Sequence, residues 1–209
     1  MTAADEPTRS VEIELKFDVD DDTPLPDWSA LPGVARVGDP EPRELDAVYL
    51  DTDDAALARA GYALRRRTGG PDEGWHIKGP RGADGGRVEL HWPLGEADRV
   101  PDAARAELAS VTQAPFLPLA RIRNSRTVWY LLSQAGGVVA EFADDHVTTR
   151  DERRGVEQSW REWEIELAPS APADAAGRAA FFAAVEKAAL AAGGRAAASD
   201  SKLARALGH

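Results

Sequence analysis

Two short stretches set carboxylates at every second position: Val11-Glu12-Ile13-Glu14-Leu15-Lys16-Phe17 and Trp163-Glu164-Ile165-Glu166-Leu167. Side chains two apart on a strand share a face. Glu12, Glu14 and Lys16 therefore stand together, as do Glu164 and Glu166, with apolar residues behind them. Carboxylate pairs that converge without a cation repel one another. Mg²⁺ or Mn²⁺ resolves that conflict, because hard cations take oxygen ligands and retain water shared with phosphates. Asp145 shares a face with Ala143 and Glu141 and supplies a fifth candidate carboxylate.

The cations are patterned in the same way. Arg65 and Arg67 share a face, and Lys78 alternates with Ile77 and Gly79. Arg87 shares a face with Glu89, and Arg121 with Arg123, whereas Arg126 has the opposite parity unless a bulge intervenes. Lys202 falls on a short C-terminal helix. Arginine suits multidentate contact with phosphate oxygens, and lysine acts as a point charge. Cations in such numbers facing a carboxylate cluster fit a metal-bridged polyanion better than a small neutral substrate. Each arginine taken singly also fits an ordinary surface ion pair.

The elements that must position these groups are mostly strands. Alternation predicts them at 11–19, 33–38, 43–51, 62–69, 74–79, 86–92, 119–133, 137–145, 147–153 and 159–167. Helices are expected at 101–111 and 173–192, a brief one at 53–60, one turn within 24–31, and a last one capped by Ser199 or Asp200. Few helices and no strand–helix alternation favour an antiparallel sheet or barrel. A small barrel with charged residues inside must hold water, ions or a ligand, since unpaired buried charge is costly. Residues 1–10 read as a flexible lead-in and 11–209 as a single domain, because Pro169–Pro172 is too short to divide it.

Composition narrows the chemistry further. The chain has 209 residues and no cysteine, so thiolate metal sites and cysteine catalysis are excluded. No apolar run reaches the ~20 residues that cross a bilayer. The first ten residues lack a secretion signal, and a cytoplasmic location and no membrane partner are expected. A net charge of -11 argues against nucleic acid. No nucleophile elbow, P-loop or dinucleotide fingerprint occurs, and His76, His91, His146 and His209 lack zinc-site spacing.

In order along the chain, these residues resemble the signature of the CYTH superfamily, the triphosphate tunnel metalloenzymes. Glu12-x-Glu14-x-Lys16 opens it, followed by Tyr49-Leu50-Asp51-Thr52, Leu64-Arg65-Arg66-Arg67 and Trp75-His76-Ile77-Lys78-Gly79-Pro80. Arg87 and Glu89, Arg121 to Arg126 with Trp129 and Tyr130, Asp145-His146-Val147, Glu164-Ile165-Glu166 and Ser201-Lys202-Leu203 complete it. The resemblance implies an α+β fold, an eight-stranded antiparallel β-barrel open as a tunnel with flanking helices. It implies triphosphate binding by Lys16, Arg65, Arg67, Lys78, Arg87, Arg126 and Lys202, and Mg²⁺ or Mn²⁺ held by Glu12, Glu14, Asp145, Glu164 and Glu166. Parity favours Arg121 and Arg123 for the middle of the site, and the adjoining aromatics favour Arg126. The expected reaction is metal-dependent hydrolysis of a triphosphate or short polyphosphate, with Glu164, Glu166 and Lys78 catalytic. The alternatives are a class IV-type adenylate cyclase and a non-catalytic triphosphate-binding module. A monomer or homodimer is expected.

Overall fold

Alternation on both sides of Ile13 makes the first strand the joint of the whole sheet. Residues Thr8–Glu12 (β1) pair antiparallel with Arg87–Trp92 (β7), while Glu14–Val19 (β2) pair with Glu157–Leu167 (β10). The computed structural model describes residues 6–83, 85–95 and 99–209. Between the two seams lie Arg36–Val37 (β3), Glu41–Asp51 (β4), Ala63–Thr68 (β5), Gly74–Arg81 (β6), Leu117–Leu132 (β8) and Val138–Asp151 (β9), with Arg195–Ala196 (β11) added at one edge. All ladders are antiparallel, in the order β1-β7-β6-β5-β4-β8-β9-β10-β2-β11, with β3 beside β8.

That hydrogen-bonded path is open, so the expected barrel is not a continuous cylinder of ladders. Its ends nevertheless meet, because β1 and β2 are halves of one strand parted only at Ile13, whose carbonyl accepts from the Leu167 amide at 2.9 Å. Counted as one, that strand and β4–β10 make the expected eight; β3 and β11 are two-residue additions.

Among the described residues, four helices flank the sheet: Ala56–Arg59 (α1), Asp102–Leu108 (α2), Ala175–Ala191 (α3) and Lys202–Ala206 (α4). The turn within 24–31 is a 3₁₀ turn at Trp28–Ala30. The outward residues of β2 and β10, Phe17, Trp163 and Ile165, bury against Phe181, Val185 and Ala189 of α3. Trp75, Ile77 and Trp92 pack with Leu57 of α1 and Ala104 and Leu108 of α2. Full burial of an aliphatic or phenyl side chain is worth roughly 1.5–3 kcal/mol, so these outer cores hold the helices on. α4 behaves differently. Leu203, Ala206 and Leu207 pack on Ala47, Tyr49, Ala120, Ile122 and Val147, which lie on the opposite, inner face of the sheet.

Three expectations are corrected. The predicted strands 137–145 and 147–153 are one strand, β9, so Asp144 and Asp145 sit mid-strand. The strand starts at Thr8, inside the segment read as a lead-in, whose residues 1–5 lie outside the described ones. The cap of α4 is Ser201, which accepts from the Ala204 amide, and not Ser199 or Asp200.

Candidate functional site

The inner face of the sheet carries two charge clusters and a row of carboxylates between them. In the first cluster, four strands and α4 bring three carboxylates, Asp145, Glu162 and Glu164, onto three cations. Arg126 on β8 donates to Asp145 on β9 through Nε and Nη2, both at 2.7 Å, and to Glu164 on β10 at 2.5 Å. Lys202, at the start of α4, lies 2.8 Å from Asp145, 2.5 Å from Glu162 and 2.6 Å from Glu164. Lys16 on β2 donates to Glu164 and, at 3.0 Å, to Glu14. Burial works against charge at Lys202 and Arg126, but the facing carboxylates outweigh it and hold both pKa values well above their ordinary ranges. The same exchange depresses Asp145 and Glu164 despite their burial. Oxygen atoms of Asp145, Glu162 and Glu164 lie within 4.8 Å of one another, close enough to share a metal. Lys16, Arg126 and Lys202 already occupy that position, so the cluster is neutral without one.

The second cluster faces it from β4–β7. Lys78 Nζ lies 2.5 Å from Glu12 and 3.8 Å from Glu89. Arg65 donates to Glu89 at 3.1 Å and to the Tyr49 hydroxyl at 3.3 Å. His76 sets Nδ1 2.8 Å from Glu89 and Nε2 3.0 Å from the Asp72 carbonyl. Burial, reinforced by Arg65, lowers His76 to about 3, and Glu89 stays ionised because Lys78 and Arg65 overcome its burial. Arg67 is lowered to about 9 by burial and then by Arg65, and pairs with Asp72. The Nε groups of Arg65 and Arg67 are buried and meet no acceptor among the described residues. Leaving such donors unpaired is costly.

Across β9, β10 and β2 the ladders align Glu141 with Glu166 and Glu166 with Glu14. Burial, then the charges of Glu12 and Glu14, push Glu166 up to about 8, and no ion pair reaches it among the described residues. Glu12 is raised to about 7 by burial and by its hydrogen bond with Glu89. Glu166, which keeps its proton for want of a cation, and the neighbouring carboxyls of Glu12 and Glu14 offer the oxygen donors a hard divalent ion would use. Glu12, Glu14 and Glu166 fit one.

The structure thus brings together Glu12, Glu14, Lys16, Arg65, Arg67, Lys78, Arg126, Asp145, Glu164, Glu166 and Lys202. It does not bring Arg121 or Arg123 to them, and it sets Arg87 beside Glu12 as its ladder partner without an ion pair between the two. Arg121 and Arg123 point outward and share Asp46, Arg121 through two nitrogens at 2.9 and 2.6 Å, beside an outer groove that Arg150 and Thr148 also line. Arg87 spends its guanidinium on the carbonyls of Gly79 and Gly61. Asp51 and Thr52 serve the fold, since their side chains accept from the Leu57, Ala58 and Ala56 amides and hold the turn into α1. Glu162, His76, Tyr49 and Arg43 are inner-face residues to which the sequence pattern assigned no site role. Glu162 simply continues the alternation of Glu164 and Glu166, and Arg43 that of Tyr49, so parity alone could have found both.

A family model, the CYTH domain, matches residues 10–191. The chain belongs to the CYTH family. Two uncharacterized proteins of Mycobacterium tuberculosis, from strains CDC 1551 / Oshkosh and ATCC 25618 / H37Rv, are each 39% identical over 217 residues. The match covers 98% of this chain but 42% of theirs, so the chain spans less than half the length of these curated relatives. Among solved structures, a candidate adenylate cyclase of Bacillus halodurans superposes with a TM-score of 0.61 at 18% identity, covering 94% of this chain and 97% of that one. A Hippeastrum protein named as a candidate adenylyl cyclase with a dominant triphosphatase activity gives 0.55 at 18% identity, covering 94% and 95%. A Pyrococcus horikoshii OT3 protein gives 0.54 at 18%, covering 94% and 98%. At these identities the CYTH fold is what is shared, a mostly antiparallel sheet with flanking helices. Among the described residues, no helix is long and apolar enough to cross a membrane.

Proposed function

We propose that this CYTH chain hydrolyses a triphosphate, inorganic or organic, with Mg²⁺ or Mn²⁺ bound. The observation that carries the reading is the pair of buried Nε donors on Arg65 and Arg67, which meet no acceptor among the described residues. A phosphate oxygen would satisfy them, and its charge would strengthen the bond.

Arg65, Arg67, Lys78, Arg126, Lys16 and Lys202 bind and orient the phosphate chain and carry the charge that grows on its oxygens in the transition state. Glu12, Glu14 and Glu166 would hold the metal, which supplies charge neutralisation at the phosphoryl group. Glu164 is gripped by Lys16, Arg126 and Lys202 and so positions those cations. Glu166, free of any such grip, orients the attacking water and takes its proton. The water oxygen bonds to the terminal phosphorus as the bridging P–O bond breaks, releasing orthophosphate and a shortened diphosphate.

The test is product identity. The purified chain is incubated with tripolyphosphate, ATP and thiamine triphosphate, each with Mg²⁺ or Mn²⁺, and orthophosphate and cyclic AMP are measured. Orthophosphate release that chelation abolishes is expected. Cyclic AMP as the dominant product would instead show a cyclase, and tight tripolyphosphate binding without any product would show a binding module.

A further inference from the structure

Arg43 belongs to none of the motifs above, yet the sheet aims it at the same chamber. On β4 it alternates with Leu45, Ala47 and Tyr49, and its direct partner across the β4–β8 ladder is Arg126. Neighbours in that relation share a face, and two like charges there repel unless each is neutralised. Arg126 is neutralised by Asp145 and Glu164. Arg43 is held by other groups: Nη2 donates to the Tyr130 hydroxyl at 2.7 Å and to Glu41 at 3.2 Å, and Nη1 lies 3.5 Å from Glu141. Its guanidinium sits 5.9 Å from the Tyr130 ring centroid. The Arg43 side chain is only 13% exposed, which separates it from an ordinary rim ion pair; Glu41, at 52%, is rim.

Glu141 has a second allegiance. Its ladder partner is Glu166, whose own partner is Glu14, so it is one of three carboxylates aligned across β9, β10 and β2. A divalent cation drawn to that row competes with Arg43 for Glu141.

We propose that Arg43 is a further anion-binding residue of this chamber, coupled to the metal through Glu141. When the acidic row takes a divalent cation, Glu141 turns toward it and leaves Nη1 of Arg43 free for the anion beside Arg126, while Nη2 stays with Tyr130 and Glu41. This rests on the reading of the chamber as a triphosphate site.

The experiment is calorimetric titration of the full chain with diimidotriphosphate, a non-hydrolysable tripolyphosphate analogue, in EDTA and in Mg²⁺. Arg43→Gln is expected to lose about tenfold in affinity in Mg²⁺ and little in EDTA, the size of one charge-assisted hydrogen bond. Glu141→Gln is expected to bind more tightly than wild type in EDTA, and that gain should vanish in the Arg43→Gln/Glu141→Gln double variant. Near-UV circular dichroism checks each fold, and Arg43→Lys, which keeps the charge, should retain part of the Mg²⁺-dependent gain even if Arg43→Gln does not fold. Equal losses in both conditions, wild-type affinity in Arg43→Gln, or a Glu141→Gln gain that survives in the double variant would overturn the coupling. Failure of wild type to bind the analogue at all would instead overturn the triphosphate reading, and the coupling with it.

Discussion

Arg126 and Asp145 stand directly opposite one another on β8 and β9, joined by two hydrogen bonds of 2.7 Å, with the carboxylate wholly buried. Burial makes the pair brittle, because removing one partner strands the other. Arg126→Gln should destabilise the chain by about 3 kcal/mol, near the lower end for a broken buried pair since Lys202 still holds Asp145. Urea denaturation checks this, and Asp145→Asn in the same chain should restore part of the loss.

Arg67 offers the complementary case. Its tie is to Asp72, which is half exposed, so Arg67→Gln should cost little stability. Losing a charged donor to phosphate should weaken tripolyphosphate binding by tenfold or more, from roughly 1.5–3 kcal/mol per such bond. Calorimetry against wild type measures it.

Glu166, raised to about 8, and Glu12, raised to about 7, make a signed prediction about pH. Between about pH 5 and 8 the folded chain keeps protons on these carboxyls that the unfolded chain has released. Metal-free stability should therefore fall as pH rises through that window. A bound divalent cation displaces the protons, so Mg²⁺ should stabilise more at pH 8 than at pH 5. Thermal melts across pH, with and without Mg²⁺, test this, and Glu166→Gln should flatten the metal-free slope.

Glu14→Gln should greatly reduce metal-dependent phosphate release and leave the fold largely intact. The ion-pair partner of Glu14 is Lys16, which keeps its closer contact with Glu164. Turnover at saturating Mg²⁺ is the measurement, with circular dichroism as the control.

Ser201→Ala removes the side-chain cap of α4, worth about 1 kcal/mol. Because the helix is only five residues long and begins with Lys202, the effect should appear in anion affinity as well as in the melting temperature.

Period-two alternation revealed which residues share a face, but it does not say which face is inside. Glu12, Glu14 and Lys16 were legible because their strand has apolar residues behind them. Arg121 and Arg123 have equally good alternation, yet Trp129 and Leu131, on the same parity of β8, enter the outer core under α3. No register shift lies between those residues, so parity sends both arginines outward and Arg126 inward. The break expected near residue 146 failed for another reason. Asp144 is met by Arg161 on the outer face and Asp145 by Arg126 on the inner one, so the strand runs through both. Partners that far apart along the chain leave no local trace.

The strand interrupted at Ile13 has a consequence for how the molecule assembles. Its two halves are stitched to strands beginning at residues 87 and 157, so its first half has no partner until β7 has been made and its second half none until β10 has. Contact order is correspondingly high, and closure of the ring should come late and slowly.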